Sequence, residues 1–209
     1  MRTNLFSETD FEHNQIQLCI ESKPVSAQNK NEVKQKFKSD VHKITSQSKY
    51  IITNTCWIAI DYYCQHMKRM KNPGVYDIDN IVKPILDSLV GLNGVLIDDV
   101  LVDRVTVNWI DTPHDDYIEI DLQYPELLYS KKSDLIFIKS NSGWCFPTVQ
   151  SMAKHAPFIE LLKRYFETWD SIKTEDDYYK LVGILPIQNF IYYSKIKDKG
   201  YHFMDIENC

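Results

Sequence analysis

The chain has 209 residues, of which 44% are hydrophobic and 25% charged, and its net charge at pH 7 is −5. These values are typical of a globular protein that buries a core, and they exclude collagen-like, linker-dominated and largely disordered chains. The longest apolar runs fall far short of the ~20 residues of a membrane-spanning helix. The acidic first ten residues do not resemble a secretory signal. We therefore expect a cytoplasmic protein without a membrane partner.

The first half of the chain predicts alternating strands and helices. Apolar or β-branched residues that alternate or run together predict strands, which cover residues 15–21, 55–64, 95–97, 102–109 and 117–124. Apolar residues three and four apart predict a helix over 33–44, with Val33 among the inward residues, and a second helix over 79–89. Asn93-Gly94 then predicts a turn. The pattern is typical of an α/β (α+β) fold, with a small mixed β-sheet and flanking helices.

Beyond Pro125 the chain becomes rich in aromatic residues and the pattern changes. The predicted elements are a strand over 134–139, a helical stretch over 148–171 with a break at Pro157, a capped short helix from Thr174, and a hairpin of 189–196 with 201–206. We therefore predict two domains, 1–124 and 125–209. The second is an α+β extension or small domain whose role and partner the sequence does not identify.

The five cysteines are odd in number and form no C-x-x-C pair. Neither a disulfide framework nor a zinc site is therefore predicted. Cys56 and Cys64 lie eight residues apart in one predicted strand, and hence on one face of it. We expect both to be buried thiols.

Charge is unevenly distributed along the chain. Residues 23–49 contain seven lysines against two acids, whereas residues 98–121 contain eight acids against one arginine. Charge alone favours the simpler interpretation of a solvated helix and an acidic loop. A basic surface beside clustered carboxylates also suits an enzyme that holds a polyanion. On that hypothesis the nucleic-acid contacts are Lys30, Lys34, Lys36, Lys38, Lys68, Arg69 and Lys71.

The most informative stretch is Asp77-Ile-Asp79-Asn80-Ile-Val-Lys83, followed after the glycine turn by Asp98-Asp99. Asp77 and Asp79 stand two apart in an extended approach, so we expect their carboxylates to converge at the helix entrance. Lys83 lies one turn further along the same helix face. Carboxylate oxygens are preferred ligands of Mg²⁺ and Mn²⁺, and a lysine can orient water or stabilise a phosphoryl oxygen.

An Asp before a helix is also a common cap, and a single D-x-D would favour that interpretation. The whole set favours a metal site instead. We predict Asp77, Asp79, Asp98 and Asp99 as metal ligands, with Asn80 orienting one of them. Asp87 is expected to be solvated or to assist from outside the ligand set.

The same stretch resembles the RusA-type Holliday-junction resolvases, whose pattern is D-x-D-N-x-x-K and then, after a helix and a glycine turn, an apolar strand and D-D. The resemblance extends over residues 15–124 and includes Pro24 and Asn29 in the loop after the first strand. It implies a small mixed α/β fold and a Mg²⁺-dependent homodimeric endonuclease acting on branched DNA. By matching position it implies metal-binding roles for Asp77, Asp79 and Asp99, and Lys83 as the catalytic lysine.

We therefore expect a Mg²⁺-dependent endonuclease, with Mn²⁺ as a substitute, that cuts branched DNA such as Holliday junctions in recombination or repair. Two alternatives stay open. One is a DNA-binding or regulatory module with weak or no nuclease activity, although a binding module would not require the intact acid set. The other is a nuclease acting on another structured or single-stranded nucleic acid, for example in phage biology or defence.

Overall fold

The structure is a computed structural model that describes residues 5–8, 14–23, 25–71, 77–124, 129–181 and 189–209. The chain divides into two compact units, residues 1–129 and 130–209. Small sheets and helices make up both units, which confirms the predicted mixed α/β class. The predicted domain boundary adjoins residues 125–128, which lie outside the described residues.

The first unit is built on a five-stranded sheet. Its strands are β1 (Leu5–Glu8), β2 (Gln15–Ile20), β4 (Cys56–Gln65), β5 (Val102–Thr112) and β6 (Tyr117–Gln123), in the order β1-β2-β6-β4-β5. The short β3 (Tyr50–Ile52) and the helices α1 (Asn31–Thr45), α2 (His66–Lys71) and α3 (Ile78–Leu89) complete it, and β7 (Tyr129–Lys131) lies at the junction. The strand β4 pairs antiparallel with β6 and parallel with β5.

The core of this unit lies between one face of the sheet and the helices α1 and α3. Every second residue of β4 points to this face, so Ile58, Ile60 and Tyr62 are buried. They pack in one cluster with Phe37 of α1 and Ile85 of α3. The alternating apolar residues of β4 and the helically spaced apolar residues of α3 therefore form two sides of the same core.

The parallel pairing of β4 with β5 determines where α3 lies. Parallel neighbours cannot be joined by a tight turn and require a crossover connection. Residues 66–101 form this crossover, which contains α2, α3 and a short 3₁₀ turn at Asp99–Leu101. The crossover therefore returns the chain to the edge strand β5 immediately after Asp98 and Asp99.

The second unit is a four-stranded sheet covered by a helix. Its strands are β8 (Leu135–Lys139), β9 (Trp144–Val149), β10 (Ile191–Tyr192) and β11 (Phe203–Asp205), in the order β10-β9-β8-β11. Its helices are α4 (Ala156–Ser171), α5 (Glu175–Leu181) and α6 (Tyr193–Ile196). The apolar stripe of α4 packs against the buried residues of β8. In the parts of the chain that the structure describes, no helix is long and apolar enough to cross a bilayer.

Two predictions in the second unit were wrong. Residues 189–206 do not form a hairpin, because β10 pairs antiparallel with β9 and β11 pairs parallel with β8. The helical stretch predicted over 148–171 starts too early, because residues 148–149 belong to β9. Its break lies at His155, between a 3₁₀ turn at Met152–Lys154 and α4, and Pro157 lies in the first turn of α4, where its missing N–H has no partner to lose. The cap at Thr174 is confirmed, since its Oγ accepts from the Asp177 N–H and Asp177 accepts from the Thr174 N–H, both at 3.2 Å.

Two predictions in the first unit also need correction. Residues 95–97 are buried but do not form a strand, because Leu96 makes only isolated bridges to Ile52 and Val90. The tight turn before them folds the chain back onto the end of α3, where the amides of Val95 and Leu96 donate to the Leu89 carbonyl rather than to a strand partner. Val33 is 45% exposed, since α1 meets the core only from Phe37 onward.

The cysteines provide a test of this fold. Cys19, Cys56, Cys64 and Cys145 are buried and Cys209 is exposed, which confirms the prediction for Cys56 and Cys64. Burial raises the pKa of the Cys56 and Cys145 thiols to about 12.

We expect the folded protein to react with one equivalent of a thiol reagent at pH 8, because only a thiolate attacks and only Cys209 is accessible. After unfolding in guanidinium chloride all five thiols should react. Cys209→Ser should abolish the reaction of the folded protein. Rapid labelling of any cysteine in the folded C209S variant would contradict the described packing.

Candidate active site

The first turn of α3 carries three of the predicted site residues. Asp77 precedes the helix with an extended backbone (φ −88°, ψ 125°), and Asp79 lies inside the first turn. The prediction that both aspartates lie in an extended segment was therefore wrong for Asp79. The Asp77 carboxylate does not cap the helix but accepts from Asn80 Nδ2 at 3.4 Å, as expected for an asparagine that orients a carboxylate.

A glycine turn brings the second pair of aspartates back to α3. Gly94 donates to the carbonyl of Gly91, and the amides of Val95 and Leu96 both donate to the Leu89 carbonyl at the end of α3. A Cβ atom at Gly94 would overlap that carbonyl oxygen, so no other residue allows this close approach. The turn therefore returns the chain toward the start of α3.

Asp98 and Asp99 are neighbours with different environments. The side chain of Asp98 is buried, and its Oδ1 accepts from the Val100 N–H at 3.1 Å, which caps the 3₁₀ turn. Asp99 is the first residue of that turn and is half-buried. Asp99 thus faces a surface pocket that Asp98 does not line.

That pocket brings together residues from α3, the 3₁₀ turn and β5. It has a volume of about 440 Å³ and its polar lining consists of Asp79, Lys83 and Asp99. Its apolar wall consists of Ile78, Val82, Leu86, Val105 and Val107. Asp77 does not line it, but lies two residues before Asp79 at the helix start.

Lys83 is also paired outside the pocket. Its Nζ donates to Asp87 Oδ1 at 3.2 Å, and both side chains are more than half exposed. An exposed pair one helical turn apart contributes little to stability, about 0.3–0.5 kcal/mol. Little free energy is therefore lost when Lys83 leaves Asp87 and pairs with an anion in the pocket.

The carboxylates meet the chemical requirements of a hard divalent cation. Mg²⁺ is usually held by one or two carboxylates together with waters and substrate phosphates. Asp79 and Asp99, which line one pocket, supply two. Within the described residues no three His, Cys, Asp or Glu side chains are grouped closely enough to enclose an ion. The four carboxylates predicted as metal ligands therefore do not converge on one point, and of these four only Asp79 and Asp99 line the same pocket.

The predicted nucleic-acid contacts do not form one surface. On α1, Lys34 and Lys38 lie one turn apart, whereas Lys36 points to the opposite side of the helix. Lys34 Nζ donates to the Ala27 carbonyl at 3.3 Å. Lys30, Lys36 and Lys71 are exposed, and the side chain of Arg69 lies outside the described ones.

Lys68 has a structural partner. It forms an ion pair of 3.1 Å with Asp116, whose side chain is only 4% exposed. Asp116 also accepts from the backbone N–H of Gln65 at 2.9 Å. The carboxylate is buried whereas the lysine is 34% exposed. Removing this cation would leave the buried carboxylate uncompensated, so Lys68 links α2 to the β5–β6 loop.

Sequence reasoning did not identify two parts of the site. The apolar wall from β5 includes Val105 and Val107, which the strand alternation could have placed on the helix side. The loop at residues 25–29 contacts α3 through the amide of Ala27, which donates to the Asn80 carbonyl at 2.7 Å. Its sequence signal is Pro84, four residues after Asn80.

The two adjacent aspartates should differ in their effect on folding. Asp98→Ala should lower the free energy of unfolding by about 1–2 kcal/mol, because the Val100 N–H loses its cap and the turn loses a buried acceptor. Asp99→Ala should cost less than about 1 kcal/mol, since its side chain faces the pocket. Urea unfolding followed by circular dichroism measures both. Equal losses would show that the environments of the two residues do not differ as described.

No curated protein matches the chain significantly. The family model described as endodeoxyribonuclease RusA matches residues 15–123, just over half of the 209-residue chain. The match begins at β2, ends at β6 and includes the whole crossover that carries the acids. The chain therefore belongs to the RusA endodeoxyribonuclease family.

Proposed function

We propose that the protein is a Mg²⁺-dependent endonuclease that hydrolyses phosphodiester bonds in branched DNA, such as a Holliday junction, in recombination or repair. The observation that carries this proposal is the pocket in which Asp79, Lys83 and Asp99 meet, in a member of an endodeoxyribonuclease family. The pocket is shallow, so it suits contact with a DNA backbone better than the enclosure of a small molecule. Membership of the family supports the reaction class, and the pocket supports the choice of residues.

In this proposal Asp79 and Asp99 hold the cation, with Mn²⁺ able to replace Mg²⁺. When bound, the ion supplies an acidified water and offsets negative charge on the phosphoryl oxygens. Asp77, oriented by Asn80, adds a further carboxylate two residues before Asp79 at the start of α3. Asp98 supports the site indirectly, by capping the turn that presents Asp99.

Lys83 provides the mobile positive charge. Its ammonium group leaves Asp87 and donates to a phosphoryl oxygen of the substrate, where a compact cation stabilises developing charge. Asp87 therefore serves as the resting partner of the lysine.

Removing the metal-binding carboxylates should separate cleavage from binding. We expect Asp79→Asn and Asp99→Asn to reduce cleavage at least about 100-fold, because the ion loses a charged ligand. DNA affinity should be unchanged or higher, since a negative charge leaves the phosphate path. Lys83→Met should also stop cleavage, whereas Asp87→Asn should not.

The assay uses a labelled four-way junction, a duplex and a single strand, each with and without Mg²⁺, and gel shifts measure affinity. We expect the wild-type protein to cut the junction but neither the duplex nor the single strand. An Asp79→Asn variant that cuts at the wild-type rate would remove this residue from the mechanism. Preferential cutting of the single strand would support the alternative substrate class, and binding without any cutting would support a binding module.

We also propose that the working unit is a symmetric homodimer. Resolving a junction takes two nicks on opposed strands, and a C₂ dimer presents two identical sites related by one axis. Mixing wild-type chains with Asp79→Asn chains should yield heterodimers that nick a junction once without resolving it. Paired cuts by a protein that light scattering shows to be monomeric would contradict this arrangement.

The exposed lysines should carry the electrostatic part of DNA binding. Replacing Lys30, Lys36 and Lys71 together with Gln should lower the slope of log affinity against log salt by about one unit for each lost phosphate contact. Lys68→Gln is the matched control, because it should instead lower the free energy of unfolding by about 1–3 kcal/mol by leaving the buried Asp116 carboxylate without its cation, while the Gln65 N–H still donates to it. An unchanged slope of log affinity against log salt in the triple variant would show that these three lysines do not contact DNA.

A further inference from the structure

Pro84 lies inside α3, where a proline leaves one carbonyl without its helical partner. In an α-helix each N–H donates to the carbonyl four residues earlier, so residue 84 would normally serve Asn80. Proline has no N–H, and its ring crowds the carbonyl at that position. The first turn of α3, which carries the site residues, therefore presents a carbonyl that needs a donor from outside the helix.

The donor comes from the loop before α1. The N–H of Ala27 donates to the Asn80 carbonyl at 2.7 Å, a short distance for an amide hydrogen bond. The carbonyl of Ala27 in turn accepts from Lys34 Nζ of α1 at 3.3 Å. Ala27 therefore links the start of α3 to α1 through both of its backbone groups.

The loop is shaped for this contact by a polar side chain that faces solvent. Asn29 Oδ1 accepts from the Ser26 N–H at 2.7 Å, and the Asn29 N–H donates to the Ser26 carbonyl at 2.9 Å. At the other end of the loop, Val25 is buried in the core. Asn29 is exposed, so core packing does not explain its presence, whereas the local hydrogen bonds do.

We propose that Pro84 and Asn29 are positioning residues of the site. Pro84 frees the Asn80 carbonyl, and Asn29 shapes the loop whose amide occupies it. The result is that the turn carrying Asp77 and Asp79 is fixed relative to α1. This inference rests on the proposed function, because reaction rates fall steeply when catalytic groups are displaced by about 1 Å.

Amide hydrogen exchange tests the contact directly, on the full chain without DNA or metal. Pro84→Ala supplies a competing N–H inside the helix, and Asn29→Ala removes the acceptor that shapes the loop. In both variants the Ala27 amide should exchange about three- to tenfold faster than in wild type, the change expected for one weakened hydrogen bond. Two controls should leave it unchanged: Asn29→Asp, which keeps the acceptor, and Pro157→Ala, at a helix start where no carbonyl is freed.

Cleavage of the four-way junction tests the consequence for function. Pro84→Ala and Asn29→Ala should lower kcat about tenfold while the Kd for DNA stays within about twofold, because the groups are displaced rather than removed. The melting temperature and circular dichroism identify a variant that has unfolded. If Pro84→Ala does not fold, Asn29→Ala still tests the proposal, because its substitution lies at an exposed position.

The two tests have separate outcomes. Unchanged exchange at Ala27 in Asn29→Ala and in folded Pro84→Ala, or faster exchange with a wild-type kcat, would overturn the positioning roles. A wild-type chain that cuts no DNA would instead overturn the proposed function, and the exchange rates would still decide whether Pro84 and Asn29 govern the contact at Asn80.

Discussion

The parallel pairing of β4 with β5 is the constraint on which the site depends. It requires a long crossover, and residues 66–101 supply it. All the carboxylates assigned to the site, together with Lys83, lie on this connection. The buried residues Ile81 and Ile85 anchor α3 to the same sheet face as β4, so the core determines where the exposed side of the helix presents Asp79 and Lys83.

The elements that hold this crossover were predictable because their patterns are long and local. β4 alternates over ten residues and α3 keeps its apolar stripe over twelve. The elements that were missed depend on partners distant in the sequence. The short strand β11 has a pattern that does not determine which strand it pairs with. Its parallel register with β8, with Phe203 opposite Phe137, follows only from the assembled sheet.

The candidate site shows the same division between local and distant information. The sequence placed Lys83 one helical turn after Asp79, and the structure lines one pocket with both. The sequence could not show that Asp98 and Asp99 differ, because only the 3₁₀ turn places the first as its cap and the second as its first residue. It also could not show that Pro84 redirects a hydrogen bond to Ala27, since that partner lies more than fifty residues earlier.

The acidic stretch at residues 98–121 takes on a different meaning in the fold. Glu119 and Asp121 lie on the sheet face opposite the helices, and Glu119 is directly across from Asp61 on β4. Like charges in this position are unfavourable, and their field has a visible effect: burial and the neighbouring Glu119 carboxylate raise the pKa of Tyr63 to about 12.

The charges on this sheet face repel a polyanion, whereas the other face carries α1 with its lysines and α3 with Asp79 and Lys83. A negative net charge is therefore compatible with a nucleic-acid substrate, because the local potential of each face, and not the sum over the chain, determines where a polyanion binds. Under the proposed function, Asp61, Glu119 and Asp121 therefore disfavour the binding of DNA on this side of the sheet.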